Sequence, residues 1–351
     1  MAGKRPQFGA SAARTQAAGS GSAVQGLLTH PLVGVAGAGL LFVTAAVALI
    51  TVTGDPLAGA PRVRISLGPP APAGLNLFGS DNAPPTATVG QPQPLPPAPL
   101  AGLSEPGPGG LLPIIAADGR TPAQAYARPF KDPGGPKLAL VIGGLGPNAT
   151  YTRQAIEQLP PEITLSFVPY TEGLQGWVDL ARANGHEVLI EVPMEPVDYP
   201  QNDPGPYTLM AQDPAPETVK RLEWLLSRAT GYFGVINDLG GRFLATDPAM
   251  GAFAGVLRQR GLAFIDDGSA SGRSADGAPR ASADRVIDGT LDADAIDQQL
   301  AGLESSAQQR GAALGSGGAH PVTLQEVKRW ADSLGARGLH LAPASALMAP
   351  R

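Results

Sequence analysis

The chain has no cysteine, only four histidines, and too few bases to balance its acids, which leaves a net charge of −5. Each shortage closes a class of chemistry. Without cysteine there is no disulfide, no thiolate nucleophile and no Cys-ligated zinc. The compartment stays open, because an oxidising space permits disulfides without requiring them. The acidic balance gives no electrostatic footprint for nucleic acid. The histidines are His30, His186, His320 and His340. His186 opens a strand pattern and His340 lies within the last one, so only His320 falls where strands end. With no second histidine nearby and no His-x-x-His spacing, a zinc site of the usual kind is not supported. No serine sits in a nucleophile-elbow context, so no Ser-His-Asp set is evident.

Glycine and proline, by contrast, are abundant, at 46 and 37 of 351 residues. The prolines crowd between Asp55 and Pro136, and that crowding divides the chain. Residues 1–30 are small and polar and read as a disordered cytoplasmic N-terminus. From Pro31 to Gly54 there is no charge, and Leu40, Leu41, Phe42, Val43, Val47, Leu49 and Ile50 fill the centre. A helix of this length spans roughly 33 Å, enough to cross the hydrocarbon core. Lys4, Arg5 and Arg14 precede it and Asp55 follows, so positive-inside logic places the rest of the chain in the periplasm behind one inner-membrane pass. The apolar stretch is long for a signal peptide, although Ala58-Gly-Ala60 keeps cleavage open. Residues 55–136 read as a Pro/Gly-rich spacer, extended in runs such as 92–99, with a short pairing strand near Leu111.

The folded domain is expected from Lys137 to Arg351. Four times a helical pattern closes on glycine and runs into an apolar strand: at Gly185, Gly261, Gly311 and Gly338. Glycine supplies the left-handed cap, and helices feeding strands this way imply a parallel sheet. Strands are expected at Leu138–Ile142, Ile163–Phe167, Glu187–Glu191, Gly234–Asn237, Ala263–Asp266, Arg285–Ile287, Ala312–Leu314 and Leu339–Leu341. Helical stripes follow Asp213-Pro214 and Asp247-Pro248, and a third opens at a capping box, Thr323…Glu326. The class is α/β, an irregular (β/α) barrel of seven or eight parallel strands. Chemistry in such folds sits at the C-terminal strand ends.

Those ends carry acids. Gly143-Gly144-Leu145-Gly146 lacks the pattern of a phosphate loop and reads as a tight turn. Glu191 ends the third strand, and Glu195 sits between Pro193 and Pro196, whose fixed φ holds its direction. Tyr199 lies in the same stiff loop. Asn237-Asp238 ends the fourth strand with Arg242 close behind, a candidate base or ligand against the reading of a plain turn. Asp266 and Asp267 are adjacent, so at most one faces a pocket.

Gly185 to Pro196, then Gly231 to Asn237, then Gly261 to Asp267 resemble the divergent polysaccharide deacetylases of the NodB-like superfamily. Leu138–Gly146 and Pro321–Thr323 fall in the right order around them. The resemblance implies a distorted TIM-like barrel, export across the inner membrane and a carbohydrate-linked role. Intact members would use a divalent metal, zinc, to activate water for hydrolysis of an N-acetyl group. This chain departs from that pattern. The paired first-strand aspartates are Gly143 and Gly144, the two family histidines are Glu191 and Asp238, and His320 stands two residues off register. Glu191, Asp238 and Asp266, with His320, would remain as catalytic or metal-type residues, a set suited to magnesium, calcium or manganese. Glu195, Asn237, Arg242 and Tyr199 would contact substrate, and Tyr170, Trp177 and Tyr207 could also stack sugars.

Two readings follow. One is a membrane-anchored pseudoenzyme that binds a cell-envelope glycan or an envelope protein. The other is a hydrolase with a rebuilt acidic site.

Overall fold

The computed structural model describes residues 93–269 and 278–348. The expected cytoplasmic N-terminus, membrane helix and first part of the spacer lie outside the described residues. Among the described residues, no helix is long and apolar enough to cross a membrane.

A hairpin comes first, β1 (Ser104–Pro106) against β2 (Leu111–Pro113), followed by a single turn of helix, α1 (Pro122–Ala125). The barrel then runs β3 (Lys137–Leu145), α2 (Ala149–Gln158), β4 (Thr164–Phe167), α3 (Leu174–Ala183), β5 (Val188–Met194) and α4 (Ala215–Leu226). It continues β6 (Gly234–Leu239), α5 (Asp247–Arg260), β7 (Ala263–Asp266), β8 (Arg280–Ser282) and β9 (Arg285–Val286). α6 (Ala293–Arg310), β10 (Ala312–Gly318), α7 (Pro321–Leu334) and β11 (His340–Leu341) complete it.

The sheet order is β8-β7-β6-β5-β4-β3-β10-β9, with β11 also pairing with β3. Each neighbouring pair is parallel. The edges β8 and β9 are separated by only Ala283 and Asp284, so the sheet curls round to meet itself as an irregular (β/α) barrel. Asp284 fastens the seam twice: its amide donates to Leu314 O at 2.7 Å, and its Oδ2 accepts from Leu314 N at 2.9 Å. The four glycine junctions all adopt positive φ, from 66° at Gly261 to 89° at Gly185.

Three local expectations change. β3 does not stop at Ile142 in a tight turn; it runs to Leu145 through a bulge, with Ile142 opposite Leu165 and Leu145 opposite Phe167. Gly144, at φ 71°, supplies the conformation this extra residue needs. β8 is additional, a short strand with no alternation to announce it. Finally, α7 opens at Pro321 with His320 as its cap, one turn before the expected capping box. Thr323 lies inside the helix, and its hydroxyl donates to Asp288 instead.

Burial on both faces of the sheet makes two cores. Leu138, Leu140 and Ile142 face the helices, whereas Ala139 and Val141 face the barrel interior with Leu189, Phe233, Ile236 and Ile265. The interior core also contains Leu103, Ala116, Ala123 and Tyr126. The expected spacer is thereby corrected, since residues 93–136 pack onto the barrel and the folded domain begins well before Lys137. The reason is visible in the contacts. Arg182, buried at the C-terminal end of α3, donates to Pro96 O at 2.8 Å, Gly231 O at 2.8 Å and Tyr126 O at 3.2 Å, with its guanidinium 5.1 Å over the Tyr126 ring. Glu187, fully buried just before β5, accepts from Arg128 N, Thr164 Oγ1 and both the amide and hydroxyl of Ser345. This strap therefore closes the barrel at the end where strands begin.

Candidate functional site

At the other end, where strands finish, the barrel holds a cavity of about 280 Å³. β3 brings Gly143 and Gly144, β4 brings Ser166, and β5 brings Glu191. β6 brings Asn237 and Asp238, while Asp267 and Asp288 enter from the turns after β7 and β9. Ser316, Gly317 and Gly318 of β10 close the ring. Parallel pairing sets Glu191 beside Ile236, so Asp238, two residues further along, projects to the same side as Glu191.

Glu191 is 7% exposed, and its Oε1 accepts from Gly144 N at 2.6 Å and from Ser166 Oγ at 2.8 Å. Burial, and then the charge of Asp238, push its carboxyl up to about 7 despite those two donors. Burial and the neighbouring Asp267 likewise raise Asp238. Gly143 is part of this arrangement. A β-carbon there would lie 2.7 Å from Ser166 Oγ and 2.9 Å from Glu191 Oε1. The side-chain space at the end of the first strand is therefore filled by the glutamate of the third.

The other expected residues divide. Asn237 stays at the rim, its Nδ2 donating to Leu239 O at 2.6 Å and its Oδ1 accepting from Asp267 N at 3.1 Å. Asp266 is a correction. It points away from the cavity and is wholly buried, where its Oδ2 accepts from Arg280 at 2.7 and 3.0 Å and from Ser282 Oγ at 2.6 Å. Ala263 and Ile265 belong to the interior core, so the alternation of β7 turns Asp267 inward and Asp266 outward. Glu195 and Arg242 do not line the cavity either. They latch the loop after β5, with Arg242 Nη1 on Glu195 Oε1 at 2.9 Å and Ala211 N on Oε2 at 2.7 Å. Tyr199 lies in that loop, half-buried before a cis peptide to Pro200, and is not among the lining residues. His320 is exposed beyond Gly318.

Ser166 and Asp288 were not anticipated, and of the adjacent pair Asp266 and Asp267 it is Asp267 that lines the cavity. Asp288 accepts from Gly318 N at 2.8 Å and Thr323 Oγ1 at 2.9 Å, fixing it at the mouth. For Asp267, the strand's alternation was the available signal.

Two of the aromatic residues serve packing. Tyr207 stacks on Trp224 at 3.6 Å and donates its amide to the Tyr170 hydroxyl. Tyr170 and Trp177 also line a second hollow of about 590 Å³ with Gly146 and Pro147. The segment 143–147 thus borders both spaces.

The zinc centre implied by the resemblance does not fit these residues. Among the described residues, no group of three His, Cys, Asp or Glu side chains is placed to hold a metal. Asp266 is committed to Arg280, and Glu191 Oε1 to Gly144 and Ser166.

The chain is 40% identical to an uncharacterized protein of Agrobacterium tumefaciens C58 whose crystal structure superposes with a TM-score of 0.65, covering 68% of this chain and 99% of that one. The catalytic domain of a peptidoglycan N-acetylglucosamine deacetylase from Eubacterium rectale ATCC 33656 is 14% identical, covering 63% of this chain and 94% of that one, with a TM-score of 0.42. A mutant of a CE4 family pseudoenzyme with restored enzymatic activity is 12% identical, covering 67% and 74%, with a TM-score of 0.40. No curated protein matches the chain. Residues 140–348 match the divergent polysaccharide deacetylase family along almost the whole barrel, and the chain belongs to that family.

Proposed function

We propose that this family member is a pseudoenzyme that binds a cell-envelope glycan in the strand-end cavity and does not hydrolyse it through a metal. The observation that carries the reading is the seating of Glu191. Its carboxylate fills the space above Gly143 and takes the amide of Gly144, so Glu191 Oε1 is engaged and Gly143 and Gly144 offer no side-chain ligand. The neighbouring hollow bordered by Tyr170 and Trp177 gives a glycan chain somewhere to continue. A concave site of this kind suits a sugar better than the flat face of an envelope protein. The uncharged run 31–54 and the bases before it support an inner-membrane anchor with the barrel in the periplasm.

Isothermal titration of the full chain with soluble cell-wall glycan fragments tests the reading, alongside elemental analysis after incubation with zinc, manganese, magnesium and calcium. Saturable glycan binding without retained metal is expected. Near-stoichiometric metal that disappears in Asp238→Ala would sink it.

One observation favours a second reading, removal of N-acetyl groups by a rebuilt acidic site. Glu191, held near 7, could serve as a proton donor beside the carboxylate of Asp238. Acetate release from an acetylated glycan, abolished by Asp238→Ala, would establish it.

A further inference from the structure

The cavity gathers acids without a base. Glu191, Asp238, Asp267 and Asp288 line it, and among the described residues no lysine, arginine or histidine does. They arrive from β5, β6 and the turns after β7 and β9, while β3, β4 and β10 contribute only uncharged residues. The arginines nearest in sequence are engaged elsewhere, Arg242 with Glu195 and Arg280 with Asp266.

A cluster of acids alone would say little, but Glu191 adds something. It is more than nine-tenths buried, and both of its hydrogen bonds fall on Oε1, leaving Oε2 with no donor among the described residues. Among the described residues, Asp238 likewise accepts no hydrogen bond. Buried carboxylate oxygens normally have donors. Glu191 Oε2 and the half-buried Asp238 carboxylate instead open onto the cavity with no protein donor among the described residues, and the charge of Asp238 adds to burial in raising Glu191.

A ligand that supplies donors and positive charge together would satisfy both needs. A divalent ion is a poor candidate, because it needs several oxygens converging at about 2.0–2.6 Å, and among the described residues no such group is present. An ammonium offers three N–H donors and accepts partners at about 2.7–2.9 Å. Around the acids stand the groups a sugar ring uses: Val141 and Ile236 as apolar wall, Ser166 and Ser316 as hydroxyl partners. The cavity, at about 280 Å³, suits a single ring.

Resting on the glycan-binding reading, we infer that the cavity recognises the free ammonium of a de-N-acetylated amino sugar within a polysaccharide, and discriminates against the N-acetylated form. An acetamide would turn a carbonyl acceptor and a methyl towards carboxylates and relieve no charge.

The test is titration calorimetry of the full chain with a glucosamine tetrasaccharide, its fully N-acetylated counterpart and spermidine. At pH 7 and low salt the free-amine glycan should bind at least about tenfold tighter than the acetylated one. That advantage should shrink as salt rises. It should also vanish in Asp238→Asn, whose unfolding midpoint should not fall below that of the wild type because Asp238 accepts no hydrogen bond among the described residues.

Equal or tighter binding of the acetylated glycan would overturn the inference and leave the glycan reading standing. Binding of neither glycan would overturn both. Spermidine binding as tightly as the tetrasaccharide would show that charge alone is read, and would overturn the assignment to a sugar.

Discussion

The amide of Gly144 donates to Glu191 Oε1 at 2.6 Å, across the gap between the bulged end of β3 and the middle of β5. The bond needs both residues as they are. A left-handed glycine turns the amide towards β5, and a bare α-carbon at Gly143 leaves room for the carboxylate. The bare glycines at the end of the first barrel strand and the acid on the third are thus one arrangement, not two.

Gly143→Asp should therefore be incompatible with Glu191 in its present place. The variant should lose about 1–3 kcal/mol of unfolding free energy from overpacking. Adding Glu191→Ala should recover most of that loss. Urea denaturation of the two single variants and the double variant gives the coupling, and simple additivity would contradict the shared space.

Stability should fall as pH rises from about 4.5 to about 7. Glu191 is raised in the folded state, so its contribution is present in full below the unfolded value of 4.5 and is lost as pH climbs through about 7. Unfolding free energy measured from pH 4 to 8 should decline, with Glu191 contributing of order 3 kcal/mol. Glu191→Gln should reduce the decline, to which the raised Asp238 and Glu187 also add, while the lowered, buried His186 opposes it by favouring the folded state as pH rises towards the ordinary imidazole value. An unchanged slope in Glu191→Gln would contradict the burial argument.

Adjacent acids should behave oppositely. Asp266→Ala removes the wholly buried partner of Arg280, a change that costs about 3–5 kcal/mol when one side of a buried pair is deleted. Asp238→Ala removes a carboxylate that burial and Asp267 disfavour and that accepts no hydrogen bond among the described residues, so the unfolding midpoint at pH 7 should not fall. Chemical denaturation decides, and equal losses would show that Asp238 is a structural residue.

The strap should be required for folding. Arg182→Met leaves the carbonyls of Pro96, Tyr126 and Gly231 without their donor, at about 1–3 kcal/mol for each buried group. A chain beginning at Lys137 should elute as aggregate on gel filtration, because the interior core loses Leu103, Ala116, Ala123 and Tyr126. A monomeric, cooperatively folding fragment from Lys137 would refute a structural role for residues 93–136.

Much of the barrel was readable because glycine caps and short apolar runs mark where helices hand over to strands. What the sequence left unsaid has physical causes. A parallel sheet buried on both faces shows no polar alternation, so the strand's period told that only one of Asp266 and Asp267 turns inward but did not mark which face was inward. Glu191, Asn237 and Asp238 were legible because they lie at the middle or in the C-terminal half of well-marked strands. Asp288 follows a strand of two residues, too short to carry a pattern. The strap was hidden by its prolines. Extended proline-rich chain reads as spacer, yet Leu95, Leu103 and Leu112 are buried in it, and a single arginine binds it by its carbonyls. Glu195 and Arg242 looked like ligand contacts because charge beside a strand end looks the same whether it serves a ligand or a loop.

The first barrel strand to be synthesised is among the last to be finished. β3 takes its full hydrogen-bond complement only when Ala312–Gly318 and His340–Leu341 have joined it. A nascent chain that has made everything up to α6 still carries an open strand edge in the middle of what will be the sheet. Proteolytic clipping or a premature stop before Ala312 recreates that edge in a finished molecule, where it would recruit strands from other chains. The carboxyl-terminal residues thus act as a completeness check on the whole barrel, and an unfinished copy would reveal itself by self-association.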